Sequence, residues 1–221
     1  MWCWWIALDA AAAPRLLPWD EPAGDAEGED LDWPELPDCE DLYPYRLVQL
    51  PARPGLYQRN DPARSWGTAA LIDAIQGATA RVALAFPDAD PVFVGDLSTR
   101  RGGPLPPHRT HDDGRSVDVG LYFADGEQPL TGFVPADPDT LDAARTWTLI
   151  DGFLSTGRVR HILLDQDLTL RDYLLDDDLL TVDEVERIFP SGPASRRFAA
   201  HGIVRPAPNH RDHLHVRFRC E

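Results

Sequence analysis

Five of the seven histidines in this chain fall in two short stretches, GDLSTRRGGPLPPHRTHDDGRSVDVGLYF at residues 95–123 and NHRDHLHVRF at residues 209–218. The first holds His108, His111 and Asp118, and the second His210, His213 and His215. Imidazole and carboxylate together are donors that Zn²⁺ accepts, and a hydrolytic zinc site commonly takes three protein ligands and keeps one position open. The ligand candidates are His111, Asp118 and one or two of the C-terminal histidines. No Glu lies beside these histidines in the manner of HExxH, so a carboxylate base of that kind is missing and a His must take its part or none does.

The elements that must position these groups are legible from alternation. Ser116 to Phe123 places Val117, Val119, Leu121 and Phe123 on one face and Asp118 on the other, the pattern of a half-buried strand. Asp212 to Phe218 alternates likewise, with Leu214, Val216 and Phe218 inward and His213, His215 and Arg217 together on the opposite face. Gly102, Gly103, Pro104, Pro106 and Pro107 make the approach to His108 and His111 an irregular loop.

The combination of Gly95-Asp96-Leu97-Ser98, Arg101-Gly102-Gly103, His108-x-x-His111-x6-Asp118 and His210-x-x-His213-x-His215 resembles the penicillin-insensitive murein endopeptidases. More broadly it is similar to the metallopeptidases that join lysostaphin-type enzymes, D-Ala-D-Ala carboxypeptidases and the hedgehog signalling domain. The resemblance spans about residues 40–220. It implies a Zn²⁺ cofactor held by His111, Asp118 and His215, with His213 and His210 outside the ligand set as acid/base or polarising groups. From spacing alone His213 is equally able to ligate. The resemblance further implies hydrolysis of the D-Ala–diamino acid amide in peptidoglycan cross-bridges. The rivals are a related D,D-carboxypeptidase and a zinc-bearing cell-wall binding module without catalysis. Arg101, Arg217 and His108 are candidates for contacting substrate, Arg101 and Arg217 through a substrate carboxylate. For each Arg the plainer alternative is a surface ion pair, and for His108 a loop histidine bonded to backbone. Asp96 and Ser98 are candidates for orienting a ligating His, with turn capping the alternative. His161 and His201 read as structural, one bonded in a core strand and one at a helix end.

With 21 basic and 37 acidic residues the net charge is −16, which argues against a nucleic-acid surface and reads most simply as solubility. No run approaches the roughly 20 apolar residues of a membrane span. The expected organisation is an N-terminal arm over residues 1–40 and a zinc peptidase domain over residues 41–221. The arm is rich in Pro, Asp, Glu and Gly and too poor in branched apolar residues to form a core. Its start, MWCWWIALDAAAA, lacks a basic opening and is interrupted by Asp9, which makes a poor secretory signal. A periplasmic or secreted address follows from the resemblance instead.

The expected fold is α+β, an antiparallel central sheet with flanking helices, and the family likeness adds a hedgehog/D,D-peptidase-like architecture. Helices are expected from a Ser65 N-cap to Phe86, from Asp137-Pro138 to Gly157, from the Thr181-x-x-Glu184 capping box to Phe189, and briefly over residues 195–200. Strands are expected at residues 43–50, 91–94, 116–123, 158–165 and 212–218. Cys220 at the end of the last strand and Cys39 are the expected disulfide pair of an exported protein, with Cys3 left over.

Overall fold

The computed structural model describes residues 46–124, 128–189, 203–208 and 210–220. The N-terminal arm, the expected helix over 195–200 and His201 lie outside the described residues.

Six strands form one sheet in the order β2(Tyr57–Arg59), β4(Val92–Val94), β5(Ser116–Gly120), β8(His213–Phe218), β6(Val159–Leu164) and β7(Val204–Pro206), while β1(Val48–Gln49) and β3(Trp66–Gly67) pair separately. The sheet is mixed rather than antiparallel throughout. Its four central strands run antiparallel to their neighbours, but β2 is parallel to β4 at one edge and β6 parallel to β7 at the other. The cause lies in the connections. Helix α1(Ala69–Ala85) lies in the crossover from β2 to β4, and α3(Leu170–Asp176) and α4(Val182–Ile188) lie between β6 and β7. A helical crossover returns the chain to the same end of the sheet, which dictates a parallel neighbour.

Helix α1 starts at Thr68, not at Ser65. The Thr68 hydroxyl accepts the Leu71 N–H, whereas Ser65 is fully buried and donates to the Asp61 carbonyl at 2.7 Å. Residues 66 and 67 are taken by the short pairing with β1, so the helix cannot begin until that strand has ended. Helix α2(Ala143–Leu154) also begins later than its Asp-Pro signal. Asp137 closes a turn on Asp139 and Thr140, Leu141 bridges to Phe123, and only Asp142 caps the helix by accepting from Arg145 N–H. The Thr181–Glu184 capping box at α4 is present with both of its reciprocal bonds.

Leu71, Ile75 and Val82 of α1 and Leu149, Ile150 and Phe153 of α2 join Val94, Val117, Val119, Ile162, Leu214 and Val216 of the sheet in one apolar cluster. Alternation on β5 and β8 therefore sends Asp118 and His215 to the face away from this core. The two helices approach closely at Gly152, where an added Cβ would lie 2.7 Å from Ala78 Cα and 2.9 Å from Ala78 Cβ. Gly152→Ala is expected to cost about 1–3 kcal/mol by forcing the helices apart, read as a lower urea midpoint. An unchanged midpoint would mean that α1 and α2 do not meet there.

Candidate metal centre

Register does the first part of the assembly. Across the antiparallel β5–β8 pair Asp118 stands opposite His215, Gly120 opposite His213, and Ser116 opposite Arg217. His111 is added by the loop between β4 and β5. Its Nδ1 lies 2.9 Å from the Leu97 carbonyl oxygen, which sets the Nδ1–H tautomer and turns the Nε2 lone pair toward Asp118.

The result is a small triangle of donors. His111 Nε2 is 3.2 Å from His215 Nδ1 and 3.3 Å from Asp118 Oδ1, and His215 Nδ1 is 2.8 Å from Asp118 Oδ1. A tetrahedral ion with bonds of about 2.0–2.1 Å has ligand atoms roughly 3.3 Å apart, so the triangle has the dimensions of one face of such a site. All three groups are shielded: His111 is 1%, Asp118 2% and His215 6% exposed.

His108 closes a second side. Its Nδ1 is 3.4 Å from Asp118 Oδ2 and its Nε2 is 3.0 Å from Asp96 Oδ2, so it stands between two carboxylates. His108, His111 and Asp118 form a cluster able to hold a metal ion, and the triangle with His215 shares its His111–Asp118 edge. Asp96 is anchored in turn by Arg64 at 2.7 Å and Asn60 at 3.1 Å. His213 stands farther out, with Nε2 3.9 Å from Asp118 Oδ1 and Nδ1 2.6 Å from Asp212 Oδ1. His210 packs its ring 4.9 Å from that of His213. The side chains of His108 and His213 keep 24% and 18% exposure, which marks the solvent side of the cluster.

The electrostatics follow from this packing. Burial alone would raise the Asp118 carboxyl, but its close contacts with His111 and His215 outweigh it and hold the group well below the usual carboxylate range. Burial pushes the His215 imidazole down against the opposing pull of Asp118, which favours the neutral ring that a metal requires.

Not every residue proposed from sequence reaches the site in the expected role. Arg217 does lie on the site face of its strand, but its guanidinium is spent on Asp113, Ser116 and the Thr110 carbonyl and is not presented to a substrate carboxylate. Arg101 is exposed in the loop. Asp96 orients His108 rather than His111. The Ser98 hydroxyl is buried, without a hydrogen-bond partner among the described residues, and orients no histidine. His161 was expected to be hydrogen-bonded; instead its Nδ1 is buried without a partner among the described residues, and its ring lies 6.3 Å from that of His215. Burial, helped by Arg205, pushes its pKa down to about 3.

Two contributors belong to none of the motifs read from the sequence. Phe133 stacks on His213 with ring centroids 4.8 Å apart and meets Phe93 edge-on at 5.1 Å. It sits so close to Gly95 that a Cβ there would lie 2.5 Å from the Phe133 ring, which explains the glycine opening the Gly-Asp-Leu-Ser motif. Thr110 Oγ1 is 3.2 Å from His215 Nε2. Its place beside His111 is the one hint the sequence offers.

Residues 47–145 match the family model of penicillin-insensitive murein endopeptidase. The resemblance read from the motifs is thereby shown over that stretch, and the family implies a peptidase acting on murein. The murein endopeptidase match takes in β1 through the start of α2, with His108, His111 and Asp118, and ends before His210, His213 and His215. No curated protein matches the chain.

The Asp113 carboxyl lies below its ordinary range, since burial would raise it but Arg217 and the Arg115 backbone N–H outweigh burial. A depressed folded pKa means that the stabilisation is complete above the unfolded value of about 3.9 and is lost as pH falls below it. Asp113→Asn is expected to cost on the order of 3 kcal/mol at neutral pH by leaving Arg217 partly unpaired, and to flatten the fall of the urea midpoint between about pH 5 and pH 2. An equally steep acid limb in the variant would assign it to other carboxylates.

Proposed function

We propose that this chain is a zinc-dependent murein endopeptidase that hydrolyses the D-Ala–diamino acid amide of peptidoglycan cross-bridges, with the ion held by His111 Nε2, Asp118 Oδ1 and His215 Nδ1. The observation that carries the reading is the buried triangle of edges 3.2, 3.3 and 2.8 Å, built from two imidazole nitrogens and a carboxylate oxygen. Neutral imidazoles and one carboxylate suit Zn²⁺ by softness and by charge. When bound, zinc supplies Lewis acidity for the scissile carbonyl and for the attacking water.

The chain's own residues supply the rest. Asp212 takes the Nδ1–H of His213 at 2.6 Å, which leaves Nε2 facing the cluster as a proton acceptor. That nitrogen takes a proton from the attacking water and returns one to the leaving amine as the amide C–N bond breaks. Phe133 keeps the His213 ring in place by stacking on it. His210, against the other side of His213, is the second polar group at the mouth of the site. His108 braces the second oxygen of Asp118 rather than binding substrate, and with Arg217 engaged elsewhere, Arg101 is the cation of the three left to meet a substrate carboxylate.

Metal-free protein is expected to leave cross-linked muropeptide dimers intact, and added zinc to restore their conversion to monomers, followed by chromatography and mass spectrometry. Asp118→Ala should abolish zinc uptake, whereas His213→Ala should keep zinc and lose about 10²- to 10⁴-fold in rate. Cleavage that survives chelation, or release of terminal D-Ala with dimers untouched, would sink the assignment.

The same reading carries export to the periplasm or beyond. Cys220 is disulfide-bonded, its partner lying outside the described residues, and disulfides persist in oxidising compartments. Taking Cys39 as that partner ties the end of β8 back to the start of the domain and closes a long loop, contributing about 4–5 kcal/mol in the chain-entropy model. Non-reducing peptide mapping should find Cys39 linked to Cys220; a Cys3–Cys220 peptide, or free thiols throughout, would overturn the pairing.

A further inference from the structure

We infer that Thr110, clamped by Arg217, Ser116 and Asp113, is a positioning residue for His215, holding that ring so that Nδ1 is the atom offered to the metal. The inference rests on the ligand set just proposed. A ligating Nδ1 must be unprotonated, which puts the ring proton of a neutral imidazole on Nε2. Nε2 lies 3.2 Å from Thr110 Oγ1 in a site where His215 is 6% exposed. The hydroxyl is placed to accept that proton, and without it the N–H loses its partner in the protein.

Thr110 is held from its other side. Its carbonyl accepts from Arg217 Nη1 at 2.6 Å and from Ser116 Oγ at 2.8 Å. Arg217 Nη1 also lies 2.8 Å from Ser116 Oγ, and Arg217 forks onto Asp113 with Nη2 2.8 Å from Oδ2 and Nη1 3.2 Å from Oδ1. Asp113 is fixed further by the Arg115 backbone N–H at 3.0 Å and by Arg115 Nε at 2.9 Å. Arg217 is 9%, Asp113 8% and Ser116 0% exposed, so the side chains that hold the exposed Thr110 are themselves shielded and fixed. Since Arg217 lies two residues beyond His215 on β8 and Thr110 directly precedes His111, one clamp ties the strand that carries one ligand to the loop that carries another. A planar fork suits this task; a lysine ammonium cannot reach Asp113 through two parallel bonds while holding the Thr110 carbonyl.

The test measures zinc affinity in a chelator-buffered competition, with melting of the metal-free protein beside it. Thr110→Val keeps the shape and removes the hydroxyl, and is expected to weaken zinc binding about 10- to 100-fold while the metal-free melting temperature stays near native. Thr110→Ser returns the hydroxyl and should bind zinc close to the native level. Arg217→Lys should weaken zinc binding in the same direction. A Thr110→Val protein that holds zinc as tightly as the native chain would overturn the inference, as would a Thr110→Ser protein as weak as the valine variant, which would show packing rather than the hydrogen bond at work. If Arg217→Lys fails to fold, the Thr110 pair still decides, because it leaves the Arg217–Asp113 fork intact. Native protein that takes up no zinc would instead sink the ligand set itself and this inference with it, an outcome visible before any variant is made.

Discussion

The structure turns on the pairing of Asp118 with His215 across two antiparallel strands. A carboxylate 2% exposed to water is tolerated only where its charge is met, and here two imidazoles meet it within hydrogen-bonding or near-contact distance. A slip of one residue between β5 and β8 would turn either Asp118 or His215 into the apolar layer among Leu214 and Val216. The core therefore enforces the site: the residues that hold the sheet in register on one face align Asp118 and His215 on the other.

Around that pair the support is layered by origin. The paired strands β5 and β8 supply Asp118 and His215, the loop supplies His111 and His108, and each loop histidine is fixed by a partner from outside its own segment or from the far end of it. His111 leans on the Leu97 carbonyl, and His108 leans on Asp96, itself anchored by Arg64 and Asn60 ahead of α1. A loop rich in glycine and proline can thus hold two imidazoles at the cluster, because its irregular backbone is fastened at several points to rigid elements.

Arg217 illustrates how a charge can be misread from pattern alone. Alternation places it on the site face, and a cation beside a cluster of ligands suggests substrate binding. The fork onto Asp113 and the bond to the Thr110 carbonyl show a different use, in which the guanidinium joins loop to strand beneath the His/Asp cluster. The edges of the sheet teach a similar lesson. Antiparallel pairing holds for the four central strands, but the short strands β2 and β7 lie parallel to their neighbours because helical crossovers deliver them there.

What the sequence determined by itself was the chemistry and the periodicity. Clustered His and Asp mark a donor set able to hold a metal ion, period-two alternation sets the faces of Ser116–Gly120 and His213–Phe218, and the Thr181–Glu184 spacing starts α4, because each of these is a local property of neighbouring residues. What only the tertiary structure decided was which residues meet over long separations: Thr110 with His215, Phe133 with His213 and Gly95, Asp96 with His108 instead of His111, and Thr68 rather than Ser65 as the cap of α1. Those outcomes depend on strand order, register and the competition of a short strand for residues 66 and 67. No local pattern encodes them, since one spacing of residues is compatible with many ways of bringing distant segments together.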